Sequence, residues 1–127
     1  MPCSLCEEPT VGVDVPESLQ SYAPAASIAV CTNCLTLEDG EGDSPADGLD
    51  AISEELPEGD AGVATLLLAD LINALAVNRA EIEGVVEELE AEGADPMLAL
   101  DRLANDPGID PAVNIPRRRQ QLEQLVL

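Results

Sequence analysis

The residues able to do chemistry in this chain are its four cysteines, which fall as two pairs, Cys3-x-x-Cys6 and Cys31-x-x-Cys34. Two residues between thiols let a tight turn aim both sulfurs at one point. Two such turns brought together give four sulfurs at the corners of a tetrahedron, a donor set that suits Zn²⁺. The pairs are separated by 24 residues, slightly more than the roughly 15–20 usual for this pattern. The proline-bounded segment from Pro16 to Pro24 accounts for the extra length. With no histidine in the chain, Cys3, Cys6, Cys31 and Cys34 are the metal-ligand set. Four protein ligands leave no open position, which points to one structural ion rather than a catalytic one. Iron is the rival metal, since a redox site of the rubredoxin kind uses the same ligand layout. Such sites usually sit among aromatic side chains, and here there is one tyrosine and no phenylalanine or tryptophan. A pair of disulfides is the other alternative; in a reducing cytosol, paired cysteines more often hold metal.

The composition bounds the environment. Of 127 residues, 26 are acidic and 5 basic, giving a net charge of −21. Every basic residue is arginine. At low salt this charge opposes a compact state, whereas in molar salt the screening length falls to about 3 Å. The chain is expected to work in the cytoplasm of a salt-accumulating microbe. A disordered acidic chain is the bland alternative, and the regular apolar pattern of the second half speaks against it. Met1-Pro2-Cys3 begins without the basic and apolar regions of a signal peptide. The longest apolar run, Ala61 to Val77, is broken by Asp70 and Asn73, too polar and short for a membrane span. A soluble, cytoplasmic protein is the expectation.

The elements that must position the cysteines are short strands. Val11, Val13 and Val15 alternate with Gly12 and Asp14; Ile28 and Val30 alternate into Cys31; Leu35 and Leu37 continue the pattern. Between them Pro16 opens a short helix with Leu19 and Tyr22 on one side. Residues 38–60 read as an acidic linker, flexible over Glu38 to Pro45. Leu49, Ile52 and Leu56 mark a possible short docking helix within it; disorder is the alternative there.

The remainder is helical. Helix A, Asp60 to Val77, is apolar nearly all round. Asn78 with Glu81 reads as a capping-box variant opening helix B, whose apolar face is Ile82, Val85, Val86 and Leu89. Gly93 is its stop. Asp95-Pro96 opens helix C, with Leu98, Leu100 and Leu103 apolar. Asp106-Pro107-Gly108 breaks the chain, and helix D starts near Pro116 with Leu122, Leu125 and Val126. The fold class is therefore α+β: a small N-terminal zinc-ribbon-like β-module over 1–37, the linker over 38–60, and a bundle of three to four helices over 61–127.

These residues resemble a known type. The cysteine pairs, the acidic linker and the helical tail are similar to small zinc-ribbon proteins of haloarchaea, more narrowly to an uncharacterised haloarchaeal family of about this length. The matching stretches are Val15-Pro16-Glu17 with Tyr22-Ala23-Pro24, Asn78-Arg79-Ala80-Glu81-Ile82-Glu83, and Ala99-Leu100-Asp101-Arg102-Leu103-Ala104. The resemblance covers most of the chain and implies metal binding without an activity. One departure stands out: many zinc ribbons carry glycine after the second cysteine of a knuckle, where this chain has Glu7 and Leu35.

Other features have quieter readings. Arg117-Arg118-Arg119 is the one basic cluster; pairing with acidic faces such as that of helix B is preferred over contact with an anionic partner. Asp70 and Asn73 read as the wet edge of helix A or as partners of Arg102. Phosphate loops and nucleophile–base arrangements are absent from the sequence, so no enzyme is expected. The expected role is protein–protein interaction or self-association, because helix A looks too apolar for so small a domain to bury. A nucleic-acid-linked regulator acting through a partner is the alternative. Direct nucleic-acid contact needs basic side chains, and residues 1–37 have none.

Overall fold

The computed structural model describes residues 3–40, 49 and 52–126. Alternating valines do form a sheet. β1 (Thr10–Asp14), β2 (Ser27–Cys31) and β3 (Leu37–Asp39) make a three-stranded antiparallel sheet in the order β1-β2-β3. Val11 lies opposite Val30 and Val13 opposite Ile28. These four pack into the core, while Thr10, Gly12, Ala29 and Cys31 fall on the other face by strand alternation. β3 begins later than the alternation implied and includes Glu38 and Asp39, assigned to the linker by composition. Leu35 is not in a strand: its φ of +63° belongs to the turn holding Cys34. The flexible stretch expected after Asp39 falls largely on residues 41–48, outside the described residues.

A 3₁₀ turn, Glu17–Tyr22, buries Leu19 and carries the single aromatic ring to the helices. Residues 52–56 pack on the core as the apolar spacing suggested, but as turns rather than a short helix. Ile52 and Leu56 are buried, and Leu49 packs against the same cluster. The Ser53 hydroxyl, itself buried, donates to the Asp106 carboxylate and ties this segment to the helical half. That bond is the main reason the Asp106 carboxyl lies below the usual carboxylate range.

Four helices follow: α1 (Asp60–Leu71), α2 (Arg79–Ala91), α3 (Pro96–Ala104) and α4 (Ile115–Val126). α1 buries ten of its twelve residues within the one chain. Helix A is therefore covered without a second copy of the chain. The helix is also shorter than the apolar run: it passes at Ile72–Ala74 into a 3₁₀ turn. Asp70, near the end of α1, and Asn73 are exposed, the wet edge expected, and among the described residues no ion pair joins Asp70 to Arg102. Protein mass around Asp70 still desolvates its carboxyl and pushes its pKa up.

Ile82, Val85, Val86 and Leu89 form the buried face of α2. Asn78 precedes the helix, but its side chain does not cap it. The amide donates instead to the Leu71 carbonyl, 3.1 Å away, at the end of α1. Gly93, with φ +80°, ends α2 as expected: its N–H reaches Glu90 O and that of Ala94 reaches Leu89 O. Asp95 caps α3 by accepting from the Met97 and Leu98 amides, with Pro96 in the first turn. Leu98, one of the apolar residues named for this helix, is 46% exposed, and Ala99 is buried beside Leu100 and Leu103. α4 starts with Asn114 accepting from the Arg117 amide; Leu122 is buried, and the Leu125 and Val126 side chains lie outside the described ones. Arg119 pairs with Asp101 of α3 and Glu123 of its own helix, not with α2.

Sheet and helices share one continuous buried cluster, from Val11 and Ile28 through Leu66 and Leu89 to Leu122. Among the described residues no helix is long and apolar enough to cross a membrane.

Candidate metal centre

The two cysteine pairs occupy turns of matching design. In the first, the Cys3 amide donates to Glu8 O at 2.9 Å; in the second, the Cys31 amide donates to Thr36 O at 3.0 Å. Each turn aims a backbone N–H at its first sulfur: Leu5 at Cys3 and Asn33 at Cys31, both at 3.4 Å. The Cys34 amide adds a second bond to Cys31 Sγ. Each turn places the residue after its second cysteine in the left-handed region, with φ +63° at both Glu7 and Leu35. Those are the positions where glycine was noted as missing. The missing glycines have not changed the turn; they have made it more costly, by about 1–2 kcal/mol per residue.

Sheet pairing brings the turns together. β2 ends in Cys31, Thr10 of β1 lies opposite it, and the Thr32 amide donates to Pro9 O. The Ser4 hydroxyl donates to the Glu38 carboxylate of β3, closing the first turn over the sheet. All four sulfurs then lie within 4.8 Å of one another. Cys3–Cys34 is 3.6 Å, Cys6–Cys31 3.3 Å and Cys6–Cys34 3.6 Å. A metal–sulfur bond of about 2.3 Å in a tetrahedron requires sulfurs about 3.8 Å apart, close to what is present. A disulfide would require about 2.05 Å, and all four thiols are free. The donor set fits a metal ion.

Around the sulfurs the protein supplies hydrogen bonds. Thr36 Oγ1 stands 3.0 Å from Cys34 Sγ. Cys3, Cys31 and Cys34 are buried, while Cys6 is partly open. Burial opposes ionisation of Cys3, but the backbone N–H groups of Cys6 and Leu5 and the neighbouring thiols outweigh it and bring it down to about 7. At Cys31 burial dominates and pushes the thiol up to about 12. Burial thus favours the protonated thiol at Cys31, and a bound cation would have to displace that proton. Metal ligation needs thiolates, so affinity rises with pH and is lost as pH falls. Zinc affinity measured by chelator competition at pH 6, 7 and 8 is expected to fall at least about tenfold per unit of acidification, with protons released on binding; a flat profile would contradict this.

The left-handed positions give a second expected result. Glu7 is exposed, so Glu7→Gly removes backbone strain and little else. It should stabilise the metal-loaded protein by about 0.5–1 kcal/mol in denaturant titration, after the entropy cost of glycine. Leu35 is buried, so Leu35→Gly should destabilise, the lost packing outweighing the relieved strain.

All four predicted ligands come together. The reading of the residues missed the supports: the Leu5 and Asn33 amides, Thr36, and the contacts of the second turn with residues 110 and 112. Thr36 sits at the same offset from its pair as Glu8, the one hint the order of residues carried. A family model described as "Family of unknown function (DUF6276)" matches residues 2–126. No curated protein and no solved structure matches the chain.

Proposed function

The chain belongs to this family of unknown function, and we propose that within it the protein is a non-enzymatic metal protein whose four cysteines hold one structural zinc ion. The observation that carries this reading is the convergence of four free thiols within 4.8 Å. Four thiolates fill a tetrahedral shell and leave no place for a reacting water. On this reading the N-terminal module is a zinc ribbon, and the ion holds together strands too small to stabilise themselves. Zinc is preferred to iron because Tyr22, the one aromatic ring, packs on Gly84 of α2. The net charge of −21 supports a halophilic cytoplasm as its setting.

Its action is through protein contacts rather than turnover. Leu5, at the tip of the first turn, is 69% exposed and next to the ion's site, and Leu98 adds a second apolar contact point on α3. A regulator bound to nucleic acid through a partner is the second reading, and the lack of basic side chains in residues 1–37 is what requires the partner.

Protein purified from molar KCl is expected to contain one zinc per chain by elemental analysis. Cobalt exchanged into it should give the intense visible bands of tetrahedral thiolate coordination. An orange-red protein with iron in place of zinc would overturn the choice of metal, and a metal-free protein that keeps its structure would sink the reading altogether.

A further inference from the structure

The second cysteine turn differs from the first in what leans on it. The connection between α3 and α4 carries neither helix nor strand over residues 105–114. Its middle runs as a strap along the turn. The Asp110 amide donates to Asn33 O at 2.7 Å, and the Ala112 amide to Cys34 O at 2.9 Å. Alternate residues of the strap thus hydrogen-bond the two carbonyls between which the Cys34 ligand sits. Ile109 and Val113 anchor its two ends on the core. Beneath it lies a cavity of about 140 Å³, lined by Cys34, Leu35 and Thr36 on one side and by Asp70, Asn73 and Val113 on others.

Resting on the metal-binding reading above, we propose that metal occupancy of the cysteine cluster sets the position of this strap. The ion holds residues 110–112 through the second turn, and its loss frees them and opens the cavity over Asp70 and Asn73. The cause lies in the backbone. Asn33 O and Cys34 O point at the strap only while the turn keeps its shape, and that shape requires Leu35 at φ +63°, a conformation that persists only when its surroundings enforce it. Ligation at Cys31 and Cys34 clamps both ends of the turn. Without the clamp the turn relaxes, its carbonyls rotate, and the strap loses both acceptors. The helical half changes less, because α1 packs on α2 and α3 on α4 through contacts of their own. A change at the sulfurs is in this way transmitted to a surface formed by residues far along the chain. By reciprocity, whatever holds the strap in place tightens the metal.

The test is amide hydrogen exchange on the full chain in molar KCl, zinc-loaded and after stripping by a chelator. Stripping should speed exchange at Asp110 and Ala112 by about tenfold or more, while Val86 and Leu89 of α2 change far less. Unchanged exchange in the strap overturns the proposal, as does equal acceleration in α2, which would be global unfolding. Ala112→Pro removes one donor at an exposed position and should weaken zinc, in chelator competition, by about fivefold or more. Unchanged affinity would also count against the coupling. Zinc content is measured first: no bound zinc sinks the metal reading and this one together, whereas one bound zinc with an unmoved strap sinks only this one.

Discussion

Replacing Cys31 by serine is expected to abolish tight metal binding and to unfold the N-terminal sheet. Cys31 is fully buried, ends β2, and its sulfur accepts the Asn33 and Cys34 amides. A serine hydroxyl there is shorter and a poor zinc ligand, and it leaves three thiols unable to close the shell. Structural zinc contributes an apparent 10–16 kcal/mol or so in small modules, against a total stability of about 5–15 kcal/mol for a typical domain. Losing even about a third of the metal term is enough to populate the unfolded sheet. The measurement pairs elemental analysis with circular dichroism: zinc per chain should fall towards zero, and strand signal should drop more than helical signal, because the α1–α2 and α3–α4 contacts remain when the sheet's share of the common core is lost. Cys6→Ser should follow the same direction with a smaller structural loss, since Cys6 is the partly open ligand. A Cys31→Ser protein that kept one tightly held zinc would refute the four-thiolate site.

The cysteine cluster was legible from residue order because a Cys-x-x-Cys spacing leaves a turn few other shapes, whatever surrounds it. The same holds where a local rule acts alone: the 3.6-residue spacing of Ile82, Val85, Val86 and Leu89, the Asp95-Pro96 start, the Gly93 stop. The failures arise where a distant partner overrides a local preference. Asn78 is a good cap by type, yet the Leu71 carbonyl competes for its side chain and wins. Leu35 continues an alternating pattern, but the second cysteine turn claims its backbone and makes it left-handed. The apolar run to Val77 suggested one long helix, and the chain instead tightens after Leu71, with Val77 left 84% exposed. Helix A looked too apolar for so small a domain, but the segment leading into it packs on Gly62 through Leu49 and Pro57, and the sheet joins the same core. Acidic residues around Leu49, Ile52 and Leu56 masked that segment, since charge marks a solvated face and says nothing of the opposite one.

Gly62 shows what such a docking costs in sequence freedom, and it yields the other large expected effect. It lies in the first turn of α1, and a methyl group added there would overlap both Leu49 Cδ1 and the backbone carbonyl of Pro57. A side chain can swing aside, but a backbone carbonyl cannot without moving its segment. Lifting Pro57 carries with it Leu56 and Ile52, both buried, and strains the Ser53–Asp106 bond. Alanine is otherwise the better helix former by about 1 kcal/mol, so helix propensity alone predicts that Gly62→Ala stabilises. Overpacking of this kind typically costs about 1–3 kcal/mol, and more when backbone must shift. The net expectation is destabilisation of roughly 2 kcal/mol in denaturant titration of the zinc-loaded protein. Gly84→Ala provides the contrast. Its added methyl would meet the Tyr22 ring, the flexible end of a half-buried side chain, so the ring gives way and the loss should be about 1 kcal/mol or less. If Gly62→Ala proves as stable as the parent, residues 52–57 are not packed on α1 as described, and the cover that makes α1 self-sufficient within one chain fails with them.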